Sequence, residues 1–203
     1  MPDALMQQIT DFGDSAILLP VSALVTVALW LSGARRTAAA WALAVGLCCL
    51  LMVALKIGLR PCDRTLITDL RNPSGHSAFS AVVYGSLALL LAQHFHSRLL
   101  RGAIAVLAGG WILLIGLSRI AVHAHTPAEV AVGLAVGIAG AGLFALQQHR
   151  LAVPRLSLPV VGLVLVVILA ALHGTQAGAE GLIRRLAWVI YDEAGICRAL
   201  ARL

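Results

Sequence analysis

Three stretches of this 203-residue chain gather the side chains that hold and transform anions. In Lys56-Ile57-Gly58-Leu59-Arg60-Pro61, two cations four residues apart share one helical face until proline stops the helix. In Asn72-Pro73-Ser74-Gly75-His76, a capping residue, a proline and a glycine open a helix whose free N–H groups make an anion seat, with an imidazole at its mouth. The third stretch, Ser118 to Glu129, holds Arg119, His123 and His125, then Thr126-Pro127-Ala128-Glu129, a capping box with proline at the first helical position. Each stretch has a plain structural use. Cations at a helix C-terminus complement its dipole, Asn72 or Ser74 caps a helix, and Glu129 closes the capping box. Together they set Lys, Arg, His and a carboxylate on one side of one small domain.

The elements that must position these residues are apolar. Hydrophobic residues make up 60% of the chain and charged ones 12%, with a mean hydropathy of +0.93, which excludes an ordinary soluble domain. Uncharged runs at Ser15–Gly33, Ala38–Leu55, Ser77–Gln93, Gly102–Leu117, Val130–Leu146 and Leu156–Leu172 approach the ~20 residues that cross ~30 Å of hydrocarbon. They predict an all-α, six-transmembrane-helix bundle, one membrane domain over residues 1–203, with flanking Lys and Arg snorkelling to extend the shorter spans. At membrane depth ionisable groups are costly, so the histidines and Arg119 are candidates for function. No Lys or Arg precedes the first run, and a cleaved signal peptide is not expected. In the tail 174–203, Leu182, Ile183, Leu186, Val189 and Ile190 recur at helical spacing while Arg184, Arg185 and Asp192 take another face, the pattern of an interfacial helix. The N-terminal segment Asp3–Asp14 is expected to lie flat in the same way. Gly133 and Gly137, followed by Gly140 and Gly142, form a stripe for close helix packing.

Basic residues in the short loops suggest the orientation. Arg35, Arg36, Arg98, Arg101, Arg150 and Arg155 share one side, expected to be cytoplasmic. Lys56, Arg60, Arg64, Arg71 and Arg119 lie in the opposing loops and are read as an anion site, which contributes to the net charge of +6. The site then faces the periplasm from a bacterial inner membrane. Cys62 and Cys197 would share that oxidising side and are a candidate pair, whereas Cys48 and Cys49 are apolar filler inside the second helix.

The three stretches resemble the tripartite signature of the type-2 phosphatidic acid phosphatase superfamily. That pattern is a Lys, six residues and Arg-Pro; then Pro-Ser-Gly-His; then Ser-Arg, five residues, His, three residues and Asp. Pro73-Ser74-Gly75-His76 matches in full, and Ser118-Arg119 with five residues before His125 matches in spacing. Only three residues separate Lys56 from Arg60-Pro61, and Arg64 stands near the expected place, so either Arg60 or Arg64 fills the arginine position. Glu129 stands where the family has Asp, one methylene longer. The resemblance covers Lys56 to Glu129.

The resemblance implies a phosphatase that needs no metal and no cofactor. Lys56, Arg60 or Arg64, Arg119, Ser74 and Gly75 would hold the phosphate oxygens, and His125 would attack phosphorus. Glu129 would fix the His125 tautomer, and His76 would protonate the leaving alkoxide and then activate water. His123 becomes a supporting or interfacial residue, sharing a face with Arg119 if the helix runs on. Asp63, Asp69 and Arg71 would order the loop or contact a headgroup. A phosphate seat at the membrane surface suits a lipid phosphate: phosphatidic acid, phosphatidylglycerophosphate, undecaprenyl diphosphate or a phosphorylated glycolipid. No nucleic-acid partner is expected. The alternatives are a lipid phosphotransferase with the same site and a non-enzymatic membrane protein that binds anionic lipid.

Overall fold

The computed structural model describes residues 2–59, 70–151, 154, 162, 166, 167, 170–172, 174 and 179–193. The described residues form helices and turns, with no strand among them. The helices are α1 (Pro2–Asp11), α2 (Ser15–Leu31), α3 (Arg35–Leu59), α4 (Gly75–Ala92), α5 (Arg98–Ala121), α6 (Pro127–Gln148) and α7 (Ala179–Glu193). Five segments are long and apolar enough to cross a membrane: Ala4–Leu31, which joins α1 to α2, and α3, α4, α5 and α6. The sixth predicted run, Leu156–Leu172, lies for the most part outside the described residues, as do Arg60, Arg64, Asp63, Asp69 and the candidate pair Cys62 and Cys197.

Several helices outreach the uncharged runs that predict them. The ends of α3 and α5 take in Arg35, Lys56, Arg98 and Arg119, charges that can reach out of hydrocarbon along their own stems. The bundle buries Ile17, Leu18, Val21, Trp41, Met52, Val82, Val83 and Phe144. Trp41 meets Phe144 edge-on at 5.7 Å and donates its indole N–H to the Ser22 carbonyl, so the one polar atom of that large side chain is satisfied inside. The outer surface is also apolar: Val106, Leu107, Leu113 and Leu117 of α5 are all exposed. A surface of that kind is suited to lipid rather than water.

The glycine stripe of α6 sets where α4 begins. A Cβ on Gly133 would overlap the Ser74 carbonyl oxygen and one on Gly137 the Ala78 carbonyl oxygen, while one on Gly140 would lie 2.9 Å from Val82 Cγ2. Gly142, the last of the predicted stripe, faces open space instead. Small residues thus bring the backbone of α6 against the first turns of α4.

The N-terminal segment, expected to lie flat at the interface, is part of the bundle's packing. It packs against α5, with Thr10 and Asp14 buried. The turn between α1 and α2 is held by the Tyr84 hydroxyl, which donates to the Phe12 carbonyl at 2.8 Å, and by an edge-on contact of Phe12 with Trp111 at 5.4 Å.

Candidate active site

The C-terminal ends of α3 and α5, the N-terminal ends of α4 and α6 and the α1–α2 turn meet at one end of the bundle. Glu129 ties them together. As the third residue of α6 it completes the capping box that the sequence predicts: the Thr126 hydroxyl accepts from the Glu129 N–H, and Glu129 Oε2 accepts from the Thr126 N–H at 3.1 Å. The same oxygen lies 3.0 Å from His125 Nδ1. The other carboxylate oxygen accepts the N–H groups of Arg71 and Asn72 at 2.9 and 2.7 Å, and the Glu129 carbonyl accepts the Ser74 N–H at 3.0 Å. One buried residue therefore caps its helix, fixes an imidazole and anchors the segment leading into α4.

His125 reaches Glu129 because α5 stops early. Val122 is its C-cap and His123 has φ +55°, the left-handed conformation that ends many helices. The N–H groups of Ala124 and His125 both return to the Arg119 carbonyl, at 3.0 and 3.2 Å. Arg119 and His123 hence do not share a helical face, contrary to the expectation for a continued helix. His123 is exposed, while the His125 side chain is only 5% exposed. With Nδ1 on the carboxylate, the His125 lone pair available for attack is on Nε2. Burial, followed by the nearby charges of Arg119 and Lys56, pulls the His125 pKa below its ordinary value of 6.5 against the opposing pull of Glu129.

Lys56 and Arg119 bring the positive charge. Lys56 is buried to 8% exposure, donates to Asn72 Oδ1 at 2.8 Å and passes over the start of α4, where a Cβ on Gly75 would lie 3.9 Å from its Cε. Asn72 thus positions a cation instead of capping a helix. The cap belongs to Ser74, whose side chain accepts from the Ser77 N–H and hydroxyl. The Ser74 N–H is given to the Glu129 carbonyl and its hydroxyl oxygen accepts for the cap, so Ser74 is used by the fold. Arg119 Nη1 donates to Thr10 Oγ1 at 3.2 Å, and the Ser118 hydroxyl donates to the same atom at 3.0 Å.

His76 stands in the first turn of α4 with Nε2 3.4 Å from Asp14 Oδ2. The structure brings Lys56, Gly75, Arg119, His125 and Glu129 into one cluster through Asn72 and the Ser74 cap. His76 joins it from the α1–α2 side, and no hydrogen bond links its ring to His125 among the described residues. Sequence reasoning missed Asn72 as a holder of Lys56, Thr10 as a partner of Arg119, and Asp14 altogether.

A family model described as the PAP2 superfamily matches residues 54–152. An uncharacterized 22.5 kDa protein in the cps region of Klebsiella pneumoniae is 33% identical over 198 residues, covering 91% of this chain and 90% of that protein. A PA-phosphatase related-family protein of Dictyostelium discoideum is 35% identical over 96 residues, covering 44% of this chain and 28% of that protein. No solved structure matches.

Proposed function

This chain belongs to the PAP2 superfamily, and from that premise we propose that it is a multi-pass membrane phosphatase that hydrolyses a lipid phosphate or diphosphate through a phosphohistidine on His125. The observation that carries this reading is the His125–Glu129 pair at 3.0 Å, set among Lys56 and Arg119 at one end of an apolar bundle. A phosphomonoester brings about two negative charges at neutral pH, which Lys56, Arg119 and the Gly75 N–H would meet. Arg60 or Arg64 would add a further cation.

In the first step His125 Nε2 attacks phosphorus and the P–O bond to the lipid breaks. Its electron pair stays on the leaving oxygen, which takes a proton from His76. Glu129 stabilises the charge that develops on His125 through Nδ1–H. In the second step His76 takes a proton from water, the water oxygen attacks phosphorus, and the N–P bond breaks to return the lone pair to Nε2. Both steps keep the positive groups around the three non-bridging oxygens, where charge peaks in the transition state.

The substrate is membrane-borne because the cluster opens among helix ends flanked by lipid-facing surface. Phosphatidic acid, phosphatidylglycerophosphate, undecaprenyl diphosphate and phosphorylated glycolipids all offer a phosphoryl group on an anchored tail. Six crossings are the topology we favour. Helix α6 ends at Gln148 away from the site, yet the Tyr191 hydroxyl of α7 donates to the Ile57 carbonyl near the site end of α3 at 3.1 Å. The run Leu156–Leu172 would supply the return crossing, and α7, with Leu182, Trp188 and Val189 exposed, would lie in the interface. Arg35, Arg36, Arg98, Arg101 and Arg150 at the opposite end support a cytoplasmic side there and a periplasmic active site.

The test is a phosphate-release panel over these lipids with purified protein in detergent containing a chelator. The wild type should release phosphate from at least one of them, vanadate should inhibit, and His125→Ala should lose turnover by orders of magnitude while remaining folded. Full turnover by His125→Ala would refute the phosphohistidine route.

A further inference from the structure

The family model begins at residue 54, yet a carboxylate 3.4 Å from His76 comes from the N-terminal segment. Asp14 is the N-cap of α2: its Oδ1 accepts the Ala16 N–H at 2.8 Å, and its Oδ2 lies 3.4 Å from His76 Nε2. Capping needs one acceptor oxygen and no charge, which serine, threonine or asparagine supply equally well. A carboxylate 8% exposed beside an imidazole exceeds that need.

The turn that delivers Asp14 is fixed from several sides. Its backbone closes on itself, Gly13 N–H to Thr10 and Asp14 N–H to Asp11, at 2.9 and 3.0 Å. Tyr84 of α4 holds the Phe12 carbonyl, and Trp111 of α5 holds the Phe12 ring. Gly13 lies so close to α4 and α5 that a Cβ there would stand 2.7 Å from Ile115 Cγ2, 3.0 Å from Ser80 Oγ and 3.2 Å from His76 Cβ. Four residues before Asp14, Thr10 holds both Ser118 and Arg119. The turn therefore carries two site contacts on one rigid piece of backbone.

We propose that Asp14 is the positioning residue of His76, so that the site holds two imidazole–carboxylate pairs: Glu129 with His125 for attack, and Asp14 with His76 for proton transfer. This inference rests on the phosphatase reading. Engaged by Asp14 through Nε2, His76 presents Nδ1 to the substrate. When the P–O bond breaks, Nδ1–H passes its proton to the leaving oxygen, and the neutral ring then accepts a proton at Nδ1 from the attacking water. Asp14 keeps the ring in the orientation for both transfers and does not itself gain or lose a proton, in the manner of the third member of a hydrolase triad.

The dependence on leaving group separates this role from a structural one. Two substrates with the same lipid tail are compared, one an alkyl phosphate whose leaving oxygen needs a proton, the other a nitrophenyl phosphate whose leaving group departs without one. Asp14→Asn and Asp14→Ser both keep a capping side chain, and their melting temperatures in detergent should match the wild type. On the alkyl substrate kcat should fall roughly 10²-fold, the low end of what positioned proton transfer contributes, with KM unchanged. First-turnover release of nitrophenol should stay near the wild-type rate. Equal losses on both substrates, or no loss on either, would overturn the assignment. His125→Ala is the control for the underlying reading: if it retains turnover, the phosphatase route itself fails, whereas an inactive His125→Ala beside an unaffected Asp14→Asn removes Asp14 alone.

Discussion

Among the described residues no hydrogen bond joins the His123 side chain to the cluster, yet its backbone decides where His125 goes. With φ +55° it turns the chain at the end of α5 so that the His125 N–H comes back to the Arg119 carbonyl and its ring meets Glu129. The left-handed region costs a β-branched residue roughly 1–2 kcal/mol and glycine almost nothing. His123→Gly should accordingly preserve turnover and melting temperature, while His123→Val should lower the melting temperature and turnover together. For His125 the charge environment gives the pH response. Its pKa is depressed by burial and by Arg119 and Lys56, so the neutral, nucleophilic ring persists below pH 6.5, and the acid limb of kcat/KM should fall beneath that value. Lys56→Met removes one depressing charge and should move the limb upward, whatever it does to the absolute rate. The same depression makes the unfolded chain bind a proton that the folded one refuses. His125 therefore subtracts from stability as pH falls below 6.5, and its effect vanishes above that value. A pH–rate profile and pH-dependent melts measure both. The preference for His125 over His123 came from the family's spacing after Ser118-Arg119, and the contact of His125 with Glu129 is consistent with it. The pairing of Asp14 with His76 was not legible in the sequence, since nothing local links two residues joined only by the tertiary fold.

At the scale of elements, the site depends on how closely α6 approaches the first turn of α4. Gly133 permits contact with the Ser74 carbonyl, and a methyl there meets backbone that cannot step aside. Gly133→Ala should separate Ser74 from the Glu129 carbonyl, lower the melting temperature and reduce turnover, whereas Gly142→Ala, which faces open space, should change neither. Thermal melts and phosphate release on the two variants check this. The capping box and most of the glycine stripe were legible because each is a short-range pattern with one geometric outcome. The division of labour between Asn72 and Ser74 was not, for both residues cap helices equally well in isolation. Only the position of Lys56 decides it, by drawing the Asn72 amide oxygen to 2.8 Å from its ammonium group. The contacts of α1 and the turn after it were not legible for a related reason: the burial of Thr10 and Asp14 emerges only from tertiary packing.

For the whole molecule, five apolar segments follow directly from uninterrupted uncharged runs, since hydrocarbon tolerates little else. Orientation is less legible because arginines stand at both ends of the bundle, and those at one end have a second use, the holding of phosphate, in the proposed function. A cysteine-free variant carrying a single cysteine at exposed position 123 should react with a membrane-impermeant maleimide added to spheroplasts, while one with its cysteine at position 150 should react only after permeabilisation. The reverse pattern would place the active site in the cytoplasm. The central claim, that helix ends converge to pass one phosphoryl group through His125, is tested most directly by trapping the intermediate. Wild-type protein quenched during turnover of a phosphorus-labelled lipid phosphate should carry acid-labile, alkali-stable label on the peptide containing His125, and His125→Ala should carry none. Turnover without such label on that peptide, or label that persists in His125→Ala, would contradict the account.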